Sequence, residues 1–416
     1  MTPPADHLPE PRPPWRSLVG IALVATALRA IYVIAVGARS LTNIDAADYH
    51  ELALRLVDGG GFATPLGATA FRPPLYPAFL ALIPGISGRH GVPLIGITQS
   101  FLGGASCVAL GVIAFRLTQS QRTSFLAALL LAVNPLHISL GAEVLTETLF
   151  TLLLLSALAV SLRQGASFLP ATIGGLLLGL AALTRPIALI LIPLIAGLLT
   201  LSKHRVGRAA RIGVMLSGVL VALAPWMVRN RIQLGAWIPV STNGGFNLAL
   251  GISRPWAESI GAGELALLDE VPPLTALDEV ARDRALARLA RGRIAAQPGR
   301  FVRLSFHKWI HFFSPVLSSG QALPYRVTSA IATIPLYGGF LLWPFFGWRQ
   351  RSRIARRGYL MLAGGALVFS LAQTLFITNV RLRLPVVDPM LMVFTADALA
   401  LRIARRSRDA SEEHAQ

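Results

Sequence analysis

Ten apolar stretches of roughly the length needed to cross a bilayer punctuate the chain, and they decide what it can fold into. About 20 mostly apolar residues span ~30 Å of hydrocarbon as a helix. The stretches lie near 18–38, 94–116, 124–141, 144–163, 168–184, 186–202, 211–228, 326–347, 358–378 and 384–401, several of them short. In hydrocarbon every backbone N–H and C=O must be satisfied within the protein, so repeated spans of this kind predict an all-α polytopic membrane protein. Only 14% of the residues are charged, against about 25% in soluble domains.

The charge pattern orients the spans. Lys+Arg 38 against Asp+Glu 20 leaves +18, and only Lys203 and Lys308 are lysines. With the N-terminus inside, Arg116, Arg122, Arg163, Lys203, Arg205, Arg208 and Arg211 fall on the cytoplasmic side. So do Arg349, Arg351, Arg353, Arg356, Arg357, Arg402, Arg405 and Arg406, which is the positive-inside pattern. This topology accounts for the basic excess without nucleic acid. Acids are missing from 59–142, 148–257 and 284–387, so nearly every acid between the termini falls on or near the outer side.

The expected organisation is a disordered cytoplasmic N-terminus (1–17), a membrane domain (18–402) and a cytoplasmic tail (403–416). The first span carries Arg29 and lacks a small-residue cleavage site, which reads as a retained span rather than a signal peptide. Two larger outer loops, about 39–93 and 229–325, join the spans. The second holds acids early (Glu258, Glu264, Asp269, Glu270, Asp278, Glu279), then a basic amphipathic stretch, 281–312, suited to a helix lying in the interface. The single Cys107 excludes disulfides and Cys-based metal sites, and no HExxH, GxSxG, Walker A or GxGxxG occurs in a supporting context.

Function is sought where polar residues oppose the topology. In Thr42-Asn43-Ile44-Asp45-Ala46-Ala47-Asp48-Tyr49, helical spacing puts Asp45, Asp48 and Tyr49 on one face above the membrane. A carboxylate there can take a proton from an acceptor hydroxyl; a capping box built on Thr42 and Asp45 is the structural alternative. Phe71-Arg72-Pro73-Pro74-Leu75-Tyr76 is a rigid segment presenting one guanidinium, suited to phosphate or simply to a lipid headgroup. Glu143 and Glu147, four apart at the outer end of a span, must face the bundle or a wet cavity, and Arg185 or Arg229 would serve as buried ion-pair partners. Arg381 and Arg383 sit outside against the positive-inside trend, where an anionic ligand or interface anchoring would place them. Asp388 is in reach of either arginine or of a sugar hydroxyl. His50 and His137 are scattered and lack metal-ligand spacing.

DAADYHELA, AFRPPLYPAFLAL, NPLHISLGAEVLTETLF, AALTRP, PWMVRN, STNGGFNLALG and VRLRLP follow one another in an order that resembles bacterial GT-C-fold membrane glycosyltransferases. The resemblance is to the dolichyl-phosphate-mannose protein mannosyltransferase-like group, which includes aminoarabinose lipid A transferases. It implies a GT-C-like bundle of about ten membrane helices in the bacterial cytoplasmic membrane, its outer loops carrying interfacial helices. It also implies a hexosyl or pentosyl donor on polyprenyl phosphate, transferred with inversion on the extracytoplasmic side to a lipid, glycan or protein acceptor. The family's first-loop Asp falls on Asp45 with Tyr49 in register. The acid that usually follows is Ala46 here, so a second acidic role passes to Asp48. The family's basic residue before Pro-Pro falls on Arg72, which would hold the lipid phosphate with Arg381 and Arg383, and its second outer acid falls on Glu147. Tyr49, Tyr76, Glu143, Arg185, Arg229 and Asp388 are left as substrate-binding or structural. Some relatives carry an acidic metal ligand where this chain has Phe71, which argues against that kind of site; no cofactor is expected, and a divalent metal stays open.

Two other classes compete. A transporter or flippase of an anionic polyprenyl-linked lipid would use the same arginines but should show inverted repeats and broken helices near mid-bilayer, and neither is evident. A lipid phosphatase would want a histidine nucleophile among clustered basic residues, and only His50 and His137 are at hand.

Overall fold

The computed structural model describes residues 12–36, 44–88, 90–163, 167–201, 207–253, 277–316 and 322–413. Thr42, Asn43 and the acids Glu258, Glu264, Asp269 and Glu270 lie outside these segments. Helix α1 (Trp15–Val36) begins three residues before the expected span at 18. It is followed by α2 (Ile44–Val57), a two-stranded hairpin pairing Ala63 with Ala68 and Thr64 with Gly67, and α3 (Leu75–Ala81). Then come α4 (Gly91–Thr118), α5 (Gln121–Val133), α6 (Pro135–Leu140), α7 (Glu147–Ser161) and α8 (Leu169–Thr184). A 3-10 turn (Pro186–Leu191) leads into α9 (Ile192–Leu199) and α10 (Arg208–Leu234). The second large loop contains α11 (Gly244–Ser253), α12 (Glu279–Ala296) and α13 (Pro298–Phe312). Helices α14 (Leu323–Gly347), α15 (Arg353–Gln373) and α16 (Val387–Glu413) complete the described chain, with a 3-10 turn (Val380–Arg383) before α16.

Each expected span has its helix, and the all-α polytopic architecture stands. By length and composition α1, α4, α10, α14 and α15 are long and apolar enough to cross a membrane. The others are shorter or interrupted, for local reasons. The span expected over 124–141 is broken at Asn134-Pro135, because Pro135 cannot donate to the ladder. The Asn134 side chain caps the restart by accepting from the amides of Leu136 and His137. Helix α16 carries its apolar residues on every side, and residues 382–398 are buried throughout; it runs through the bundle packed on α4, α5, α14 and α15.

Small residues set the closest helix approaches, as expected where lipid and core are equally apolar. A Cβ at Gly104 of α4 would lie 2.7 Å from the Ala22 carbonyl of α1. One at Gly175 of α8 would lie 2.0 Å from the Met215 carbonyl of α10, so only glycine fits either crossing.

Helix α13 has three faces, which is the arrangement the amphipathic stretch called for. Lys308 and Phe312 are buried against the protein; Val302, Phe306 and Ile310 form an exposed apolar row; Arg300, Arg303 and His307 flank it. Lys308 anchors the helix by donating to the carbonyls of Gly251, Thr374 (3.1 Å) and Phe376 (2.9 Å), and burial pushes its ammonium down to about 8. Glu279, the first residue of α12, ties the two large loops together. It accepts from the Ala70 amide at 2.8 Å and from the hydroxyls of Thr69 and Thr242.

Asp397 departs from the expectation that acids gather at the outer side. It is wholly buried in α16, towards the end of the bundle where α14 turns into α15, and it is fully engaged. Arg351 pairs with it, Trp343 Nε1 donates to it at 2.9 Å and Thr123 Oγ1 at 3.1 Å. A buried acid there is affordable because it is matched by one cation and neutral donors.

Candidate active site: a chain of carboxylates and guanidiniums at one end of the bundle

Five chain segments deliver the charged side chains to one place: α2, the loop before α3, the first residue of α7, the residue after α8 and the 3-10 turn before α16. Helix α2 starts at Ile44, so Asp45 and Asp48 project from its first turns on one face, with Tyr49 beside them. Tyr49 is buried and meets the ring of Tyr76 edge-on at 5.2 Å, which fixes α2 against α3. Burial pushes the Tyr49 phenol up, against the lowering effect of Arg72, so it stays neutral at pH 7. Pro73 and Pro74 hold Arg72 before α3, with its guanidinium carbon 5.4 Å from the Tyr49 ring centre. Asn379 caps the 3-10 turn that carries Arg381 by accepting from the Leu382 amide.

The resulting contacts form a continuous chain. Arg72 Nε and Nη2 donate to Asp48 Oδ2 at 2.9 and 2.7 Å, and the same Nη2 lies 2.9 Å from Asp45 Oδ1. Asp45 Oδ2 faces Arg381 Nη2 at 3.7 Å, the loosest link. Arg381 Nε then lies 3.0 Å from Glu147 Oε1, and Arg185 Nη1 lies 3.1 Å from that same oxygen. Neither contact to Glu147 is an aligned hydrogen bond, so the pairing is one of charge. Arg185 also donates to Thr146 Oγ1 at 2.9 Å. Three acids and three arginines balance, with Asp45 and Asp48 about a third exposed (36% and 39% of the side chain) and Glu147 at 1%. The Glu147 carboxylate raises the Arg381 guanidinium further above its ordinary value, against the lowering effect of burial.

Several candidates take a different place from the one expected. Glu147 is buried beneath two guanidiniums, and of the ion-pair partners expected for it Arg185 is present and Arg381 is added. Arg72 has two of its nitrogens committed to acids, leaving Nη1 as its open edge. Arg383 does not join the site. It is wholly buried, pairs with Asp388 at 2.6 Å, and donates to Tyr337 Oη, Thr333 Oγ1 and the carbonyls of Phe312 and Ser314. Arg381 in the same turn points to the site and Arg383 into the bundle, which two-residue spacing alone does not reveal. Arg383→Met is expected to cost about 3–5 kcal/mol by leaving Asp388 buried and unpaired. The measurement is the unfolding midpoint of purified protein; an unchanged midpoint would contradict the structural role.

The remaining candidates support the site from behind. Tyr76 is wholly buried and donates to Gln99 Oε1 at 2.9 Å, while Gln99 Nε2 donates to the carbonyls of Gly141 (3.1 Å) and Glu143 (2.7 Å). Glu143 is half-buried and close enough to act on the charge of Arg381. Arg229 stacks 4.8 Å from the Trp226 ring and donates to the carbonyls of Thr69 and Phe62, holding the hairpin beneath Arg72. Gln99 and Thr146 were not anticipated, because neutral polar residues in apolar helices leave no charge signal. A divalent cation is a poor fit. Asp45 and Asp48 are already held on Arg72, and among the described residues no three His, Cys, Asp or Glu side chains gather.

The bundle and its charged end define the class of protein: a GT-C-fold polytopic membrane protein. The structure of the oligosaccharyltransferase AglB from Archaeoglobus fulgidus, in complex with an inhibitory peptide and a dolichol-phosphate, superposes with a TM-score of 0.59 at 14% identity. The match covers 97% of this chain and 52% of AglB, so the chain spans about half the length of that relative. ArnT from Cupriavidus metallidurans bound to undecaprenyl phosphate gives a TM-score of 0.44 at 16% identity, over 92% of this chain and 78% of that one. Residues 71–229 match the dolichyl-phosphate-mannose-protein mannosyltransferase family, which bears out the resemblance carried by the sequence motifs. No curated protein matches the chain by sequence.

Proposed function

We propose that the chain is an inverting glycosyltransferase that moves a sugar from a polyprenyl-phosphate carrier to a lipid, glycan or protein acceptor on the outer face of a bacterial cytoplasmic membrane. The observation that carries this reading is the loose link between Asp45 and Arg381 in an otherwise tight chain of ion pairs. A donor phosphate fits beside Arg381, which is about a third exposed, has its Nε held near Glu147, and keeps its outer edge free of any contact tighter than 3.7 Å. Arg72 is linked to Arg381 through Asp45, and Arg185 is linked to it through Glu147.

In this reading Asp45 is the general base. Its carboxylate would take the proton of an acceptor hydroxyl that attacks the sugar on the face opposite the phosphate. Arg381 meets the negative charge that grows on the leaving phosphate, and a guanidinium already fixed by Glu147 does so without reorganising. Arg72 positions Asp45 and Asp48. Helix α13 packs on the 3-10 turn that carries Arg381, and its exposed apolar row offers a surface suited to the polyprenyl tail.

Membranes containing the chain, given radiolabelled polyprenyl-phosphate sugars, should pass label into an acceptor. Label that crosses the bilayer while staying on its carrier would indicate a flippase instead. The outer placement has its own test: on a Cys107→Ala background, single cysteines at Asp48 and Asn243 should react with an impermeant thiol reagent from outside, and one at Arg353 only from inside. Labelling of Asp48→Cys from the cytoplasm would invert the site.

A further inference from the structure

Arg29 is a charge in the wrong place. It sits in the membrane helix α1, 2% exposed, and belongs to none of the described ion pairs. Its Nη1 donates to the carbonyls of Ala25 (3.0 Å) and Ala132 (3.1 Å), and its Nη2 to that of Leu131 (3.0 Å). Those three bonds leave two of the five guanidinium N–H groups uncommitted. Carbonyl dipoles soften the burial of the cation but carry no net charge to cancel it, and an uncompensated charge at this depth is expensive.

The side chain borders a cavity where α1, α4, α5, α6 and α7 meet, which leaves ≈ 20 Å³ for the centre of a water-sized particle. About 10–15 Å³ on this measure holds one such guest, so the cavity takes one. His137 lines it, 8% exposed, and its buried Nε2 has no partner. Thr148 adds a hydroxyl, whereas Ser106 and Thr151 give their protons to the carbonyls of Leu102 and Glu147. Arg29 thus faces the space with spare donors, and His137 supplies another in its Nε2–H tautomer. Room for the guanidinium depends on Gly103, where a Cβ would lie 2.5 Å from Arg29 Nε.

We propose that this cavity binds one small monovalent anion of the halide class, as the counter-ion of Arg29. A water molecule fits the volume and would satisfy His137, but it leaves the charge uncancelled; a halide accepts from every free donor and neutralises it. The site is separate from the charged chain, which balances its own charges, and stands whether or not the chain transfers sugar.

The test uses the purified full chain at constant ionic strength in sodium chloride, bromide or gluconate, with the thermal unfolding midpoint as readout. The midpoint should be several degrees higher in either halide than in gluconate, saturating as halide replaces gluconate. Arg29→Met should remove that dependence. His137→Leu, which keeps Arg29, covers the case in which the first variant does not fold, and should raise the half-saturating bromide concentration severalfold. Crystals grown in bromide should show one anomalous peak beside Arg29. Equal midpoints in all three salts would mean that the cavity holds water only, and a halide shift surviving in Arg29→Met, or unchanged half-saturation in His137→Leu, would place the effect elsewhere.

Discussion

Asp45→Asn is expected to lower turnover by about 10²–10⁴-fold, the usual contribution of a positioned general base, with donor affinity near that of the parent protein. The amide keeps the shape of the carboxylate, and its oxygen can still accept from Arg72, now 2.9 Å from Asp45 Oδ1. What it loses is the ability to take a proton. Asp48 is the informative control, because its Oδ2 takes both hydrogen bonds from Arg72 and so acts through the position of that guanidinium. Asp48→Asn should therefore give the smaller loss. Turnover per folded molecule decides the matter: near-normal activity in Asp45→Asn together with loss in Asp48→Asn would transfer the base to Asp48.

Arg381→Ala should reduce turnover by ~10²–10³-fold, as removal of one oxyanion-type donor does, and should also weaken donor binding. Ground state and leaving group both carry charge at the phosphate, with more developing as the glycosidic bond breaks, so both quantities move. Arg381→Lys keeps the charge but loses the fork and should fall between. The pairing with Glu147 sharpens the test. Glu147→Gln leaves Arg381 in place but releases its Nε, now 3.0 Å from the carboxylate, so turnover should fall less than in Arg381→Ala. Donor affinity measured on the same preparations completes the experiment; unchanged affinity and turnover in Arg381→Ala would remove it from the phosphate site and leave Arg72 and Arg185.

Hydropathy alone determined the all-α polytopic class, and with charge asymmetry it set the expected number of crossings and the side expected for each loop. These are one-dimensional signals, because a bilayer imposes length and sign on a chain before any tertiary contact exists. The motif positions were also legible: Asp45, Asp48 and Arg72 were singled out as charges set against the topology, and the fold brings both carboxylates within 2.9 Å of the Arg72 guanidinium. Partner choice was decided by tertiary structure. Arg381 and Arg383 are identical in sequence terms, yet one turn of 3-10 helix sends the first to Glu147 and the second to Asp388. Glu147 was legible as a buried acid with Arg185 in prospect, yet its second guanidinium, Arg381, came only with the fold, and Asp397 drew no notice until Arg351, from a loop 46 residues earlier, supplied its counter-charge. The physical reason is common to all of them. Burying a charge has a cost set by the dielectric around it, and its compensation comes from whichever opposite charge the packing brings within about 4 Å, a distance that sequence separation does not encode.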